Sequence, residues 1–94
     1  MDKVQVYGAD WCEDTRRALE HLDSLGVAYD YINVERDEKA AEWVKQQNDG
    51  KERKPTIKVG GRVLSTPTGG ELESALRESN LIDPRSGGDD ATAA

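Results

Sequence analysis

Cys12 is the only thiol in the chain. It follows the apolar run Val4, Val6 and Tyr7 and opens a charged amphipathic stretch, which places it in the first turn of a helix. Unpaired backbone N–H groups and the positive end of the helix dipole converge at such a position. Both favour a thiolate. A lone cysteine often serves as a small core hydrophobe, but Asp10-Trp11-Cys12-Glu13-Asp14-Thr15 is not a core setting. Thr15 stands one turn further along the same face. In a Cys-x-x-Cys redox motif that place holds the resolving cysteine. A hydroxyl cannot form a disulfide. It can donate a hydrogen bond to the Cys12 sulfur, contributing about 1–2 kcal/mol when well aligned, or bond back to the preceding turn.

The neighbouring charges work in both directions. Carboxylates at Asp10, Glu13 and Asp14 oppose a thiolate at Cys12. Arg16 and Arg17 can draw an anionic substrate, or can form a solvated helix face with Glu13 and Glu20. His21 lies nine residues past Cys12 and reads as a surface residue, so a cysteine–histidine nucleophile pair is not expected.

The net charge of −6 and pI near 4.7 disfavour nucleic acid and anionic membrane surfaces, both of which call for clustered Lys and Arg. No apolar run approaches the ~20 residues that span a bilayer, and Met1-Asp2-Lys3-Val4 opens no signal-peptide core. With one cysteine and no internal disulfide, a cytoplasmic location is expected. The 94 residues allow one domain, expected over 1–83, followed by a disordered tail over 84–94.

These residues need elements to hold them. Residues 3–7 alternate as a strand. A helix from Trp11 carries Ala18, Leu19, Leu22 and Leu25 on one stripe, with Asp10 as N-cap, Glu13 as its capping-box partner and Gly26 as the stop. Val27 to Val34 is rich in strand formers, and the βαβ order makes these two strands parallel. A second helix over Asp37 to Gln47 turns Ala40, Ala41, Val44 and Trp43 inward, and Asn48 to Lys51 is a loop. Thr56 to Val59 and Arg62 to Ser65 form a hairpin around Gly60-Gly61, which fits a type I′ turn with positive φ at both glycines. A last helix starts at the capping box Thr68-Gly69-Gly70-Glu71 and buries Leu72, Ala75 and Leu76. The expected fold is α/β and thioredoxin-like: β-α-β-α-β-β-α, a four-stranded mixed sheet flanked by helices.

The stretch from Val6 to Ala18, with Trp11-Cys12-Glu13-Asp14-Thr15-Arg16-Arg17, resembles the strand, active-site turn and first helix of glutaredoxins. Within that family it is closer to the bacterial glutaredoxin-like and mycoredoxin-like branch. The likeness continues through Trp43-Val44, Lys54-Pro55-Thr56-Ile57 and Pro67 to Leu72, and covers roughly residues 3–82 in order. It implies that Lys54-Pro55 is a cis peptide facing the cysteine, where the backbone of residue 54 pairs with an extended thiol substrate. The other reading is that Pro55 simply opens an edge strand. The resemblance also implies that Thr68, Gly69 and Gly70 hold one end of a low-molecular-weight thiol at a helix N-terminus, where a capping box alone is equally sufficient. Trp11 beside the nucleophile completes the implied substrate site. The chain departs from the family pattern in lacking the second cysteine and a lysine just before the motif, where Gly8 and Ala9 stand.

The activity so implied is monothiol exchange. Cys12 attacks a mixed disulfide between a protein and a small thiol of the glutathione or mycothiol type, with Thr15 steadying the sulfur and no bound cofactor or metal. The acidic ring suits a less anionic thiol such as mycothiol. The expected partners are protein mixed disulfides and the small thiol, with the chain a monomer. Two other functions remain open. One is a non-catalytic binding module using the groove beside Cys12 and Pro55. The other is a dimeric iron–sulfur carrier, which Cys12-Glu13-Asp14-Thr15 matches poorly.

Overall fold

The computed structural model describes residues 4–82, so the tail expected over 84–94 lies outside the described residues. Along the chain the elements are β1 (Val4–Gly8), α1 (Glu13–Ser24), β2 (Asp30–Asn33), α2 (Glu38–Gln47), β3 (Thr56–Val59), β4 (Arg62–Ser65) and α3 (Gly69–Glu78). The strands lie in the order β2-β1-β3-β4, with β1 and β2 parallel and the other pairs antiparallel. This is the thioredoxin-like mixed sheet that the sequence implies.

Alternation along β1 sends side chains to opposite faces, and each face finds a helix. Val4 and Val6 pack with Leu22 of α1, Ile57 and Val59 of β3, and Leu72, Ala75 and Leu76 of α3. On the other face Tyr7 and Ile32 pack with Ala40, Ala41, Trp43 and Val44 of α2. The Tyr7 and Trp43 rings meet with centroids 4.5 Å apart. Burial of each large aliphatic side chain contributes about 1.5–3 kcal/mol.

The ends of α1 differ from expectation at one side and agree at the other. The helix begins at Glu13 rather than Trp11, and its N-cap is Cys12, not Asp10. Asp10 lies two residues before that cap and its Oδ1 accepts from the Tyr31 hydroxyl at 2.7 Å; with the helix starting at Glu13, the two cannot form a capping box. At the other end Gly26 has φ 71°, Gly26 N–H donates to Asp23 O and Val27 N–H to Leu22 O. These are the paired bonds of a Schellman stop, with Val27 and Leu22 both buried. Because that motif consumes Val27, β2 pairs only from Asp30, shorter than the stretch rich in strand formers. In the β3–β4 turn only Gly60 occupies the left-handed region, at φ 58°, so the type I′ expectation fails at Gly61.

Two local arrangements position the segments around Cys12. Asn48, expected in a plain loop, is buried at the end of α2. Its amide donates to Val44 O and Thr56 Oγ1, and Ser65 Oγ donates to its Oδ1. Thr56 Oγ1 in turn donates to Arg53 O, and Thr66 N–H to Pro55 O. The segment carrying Lys54-Pro55 is thereby tied to α2, β3 and β4. The second arrangement is at Gly8. A Cβ there would lie 2.4 Å from Thr15 Oγ1 and 2.5 Å from its Cγ2, so only glycine lets α1 sit this close to the end of β1.

Gly8→Ala is expected to lower stability by about 1–3 kcal/mol through overpacking. Adding Thr15→Ala should recover part of that loss. Denaturant midpoints of the two variants and the double variant check this coupling.

Candidate active site

The turn that carries Cys12 begins where β1 ends. Cys12 N–H donates to Ala9 O at 3.1 Å, and Cys12 O accepts the first helical bond from Arg16 N–H. Cys12 thus fills the position that Ser or Asp takes in capped helices, with φ −78° and ψ 118°, yet α1 has no side-chain cap. The N–H groups of its first turn face the sulfur's end of the helix. Cys12 is half-buried, and its Sγ lies 3.9 Å from Lys54 O.

The peptide bond between Lys54 and Pro55 is cis, as the resemblance implies, and Pro55 is buried. The Lys54 ammonium reaches Glu52 at 2.8 Å and stands 5.4 Å from the centre of the Trp11 ring. Trp11, next to Cys12 in the chain, is 65% exposed, and its indole N–H donates to Glu35 Oε2 at 2.7 Å. Cys12, Lys54 and Trp11 therefore meet in one place.

Thr15 does not join them. Its hydroxyl is fully buried against Gly8 and makes no hydrogen bond, either to the Cys12 sulfur or to the preceding turn. One turn along from a residue at the N-cap, the side chain is directed beneath the sheet end rather than toward the sulfur.

Most of the carboxylates around Cys12 have partners. Asp10 accepts from Tyr31, Glu13 pairs with Arg17 at 3.2 Å, and Glu35 accepts from Trp11. Burial, the hydrogen bond to Asp10 and the negative charges of Asp10, Cys12 and Glu35 push the Tyr31 hydroxyl up to about 12. Tyr31 and Glu35 were not legible as site residues. Only the parallel register, which sets Tyr31 opposite Val6 and Asn33 opposite Gly8, brings that strand end to the turn.

A cavity of about 420 Å³ opens beside Pro55 between α1 and the start of α3. Asp14, Arg17, Ala18 and His21 line one side; Thr66, Pro67, Thr68 and Gly69 line the other. Gly70 lies outside it, in a shallow depression along β4. The start of α3 carries the expected capping box: Thr68 Oγ1 accepts from Glu71 N–H, and Glu71 Oε1 accepts from Thr68 N–H. The chain's own carboxylate thus sits at that helix end. His21 is not a free surface residue, since its Nε2 lies 2.9 Å from Glu73 Oε2 across the α1–α3 cleft.

The glutaredoxin family model matches residues 4–64. Mycoredoxin 1 of Corynebacterium glutamicum is 41% identical over 73 residues, spanning 77% of this chain and 90% of the relative. A crystal structure of the glutaredoxin Grx-1 from Archaeoglobus fulgidus superposes with a TM-score of 0.72 at 26% identity, covering 82% of this chain and 88% of that one. The buckwheat glutaredoxin–glutathione complex shares the fold, with a TM-score of 0.68 at 20% identity over 87% of this chain and 83% of the other.

The Tyr31 environment has a titration consequence. A tyrosine whose folded value is raised from 10.0 to about 12 contributes stability that is fully present below pH 10 and is lost as pH rises through 12. Phenolate absorbance against pH should show a late step near 12 that Tyr31→Phe removes.

Proposed function

This chain belongs to the glutaredoxin family, and from that premise we propose that it is a monothiol thiol–disulfide exchange protein acting through Cys12. The observation that carries this reading is the placement of Cys12. A half-exposed sulfur occupies the open N-cap of α1 beside the Lys54 carbonyl, in a chain with no second cysteine.

The Cys12 thiolate attacks the small-thiol sulfur of a protein mixed disulfide. The bond between that sulfur and the target's sulfur breaks, and the target leaves as a thiolate that takes up a proton. Cys12 now holds the small thiol in a disulfide. A second small thiol attacks the bound one's sulfur, returning Cys12 as thiolate and releasing the symmetric disulfide. Both steps conserve electrons. With a hydroxyl at Thr15 no internal disulfide competes with the second step. In this scheme Lys54-Pro55 and the exposed Trp11 ring align the substrate over the sulfur. The small thiol's distal part enters the cavity at Thr68 and Gly69, and Gly70 takes no direct part. The unbonded Thr15 hydroxyl serves packing rather than catalysis.

The same surface favours a thiol of low negative charge, such as mycothiol. Asp14 lines the cavity wall, and the Glu71 carboxylate already occupies the helix end that would receive a ligand's carboxylate. Glutathione brings two carboxylates to that place. The protein partners are mixed disulfides met by a monomer in a reducing cytoplasm. No helix among the described residues is long and apolar enough to cross a membrane.

Reduction of a protein–mycothiol mixed disulfide should be accelerated by the parent, and Cys12→Ser should fall to the uncatalysed rate. Mycothiol should outperform glutathione by about tenfold or more, with the gap narrowing as salt screens the carboxylates. A Cys12→Ser variant as active as the parent would sink the proposal.

A further inference from the structure

Two hydrogen bonds reach from β2 and the loop after it to the turn that carries Cys12. Tyr31 holds Asp10, and Glu35 holds the Trp11 indole. The first of these is unexpected. Asp10 stands two residues before Cys12, the N-cap of α1, and carries a carboxylate of the kind that helix N-termini attract. That carboxylate is turned to Tyr31, with the short separation of a charge-assisted O–H···O bond, and α1, whose N-cap is Cys12, has no side-chain cap.

We propose that Tyr31 is a positioning residue that withholds the Asp10 carboxylate from the N-terminus of α1 and so keeps that terminus open for the Cys12 sulfur. The inference rests on the reading of Cys12 as the nucleophile. The helix end attracts one anion at close range, and two compete for it. An Asp10 side chain released from Tyr31 would be free to turn toward that uncapped terminus, and would bring a negative charge nearer to the sulfur. Among the described residues no other carboxylate beside Cys12 is held in this way by β2. Glu13 belongs to the helix and pairs with Arg17. Glu35 is occupied by Trp11, and Glu52 by Lys54, while Asp14 faces the cavity. Tyr31 therefore acts through Asp10 and touches no reacting atom.

The test is a double-mutant cycle read with two alkylating probes of Cys12, anionic iodoacetate and neutral iodoacetamide. Tyr31→Phe keeps the ring and removes the donor. It should lower the iodoacetate-to-iodoacetamide rate ratio by about threefold or more, because the freed carboxylate repels the anion. In the Asp10→Asn background the same Tyr31→Phe change should leave the ratio unmoved. Asp10→Asn alone should raise it. An unchanged ratio in Tyr31→Phe, or an equal fall with and without Asp10→Asn, overturns the proposal. Alkylation reports on the sulfur whether or not the protein exchanges disulfides. A cycle that holds in a protein without exchange activity therefore refutes only the function above. A cycle that fails in an active exchanger refutes only the role of Tyr31.

Discussion

The site depends on the approach of α1 to the end of β1 at Gly8. The absent Cβ lets the Thr15 side chain press directly on the strand backbone, and that contact fixes how far the helix sits from the sheet. Gly8 also accepts a hydrogen bond from Val34 N–H at 2.9 Å, so β1, the end of β2 and the first turn of α1 converge on one residue. Cys12 is three residues before Thr15 and four after Gly8. Its place follows from those two anchors and the short turn between them.

Around the sulfur, charge is distributed rather than removed. The carboxylates around Cys12 are mostly committed to donors: Asp10 to Tyr31 on β2, Glu13 to Arg17 one turn along α1, and Glu35 to the Trp11 indole in the turn itself. Surface pairs of this kind contribute little to stability, about 0–1 kcal/mol each. Their value here is positional. In the proposed mechanism they direct negative charge away from the uncapped terminus of α1 beside Cys12. The Lys54 ammonium lies over Trp11 and reaches Glu52, adding a positive centre on the side where a substrate backbone would run.

The sequence made the fold legible because each element carried an unambiguous local signal. The hydrophobic stripe of α1, the capping box at Thr68 and the two four-residue strands around Gly60-Gly61 appear where their patterns put them. Cys12, Lys54 and Pro55 came together as the resemblance implied. The errors arose where a tertiary contact overrode a local preference. Asp10 has cap chemistry but a better partner in Tyr31, 21 residues away. Thr15 has a hydroxyl that can serve a sulfur, but the approach to Gly8 turns it inward. His21 looked like a surface residue until α3 brought Glu73 against it. None of these contacts leaves a periodic trace in a single sequence, because each joins residues from different elements.

The most direct measurement is the intact mass of the protein after stoichiometric mixing, in reduced form, with a protein–mycothiol mixed disulfide. The account predicts one adduct per chain, equal to one small thiol and located at Cys12, with the target protein released reduced. An unmodified chain, or an adduct containing the target protein instead of the small thiol, would contradict it.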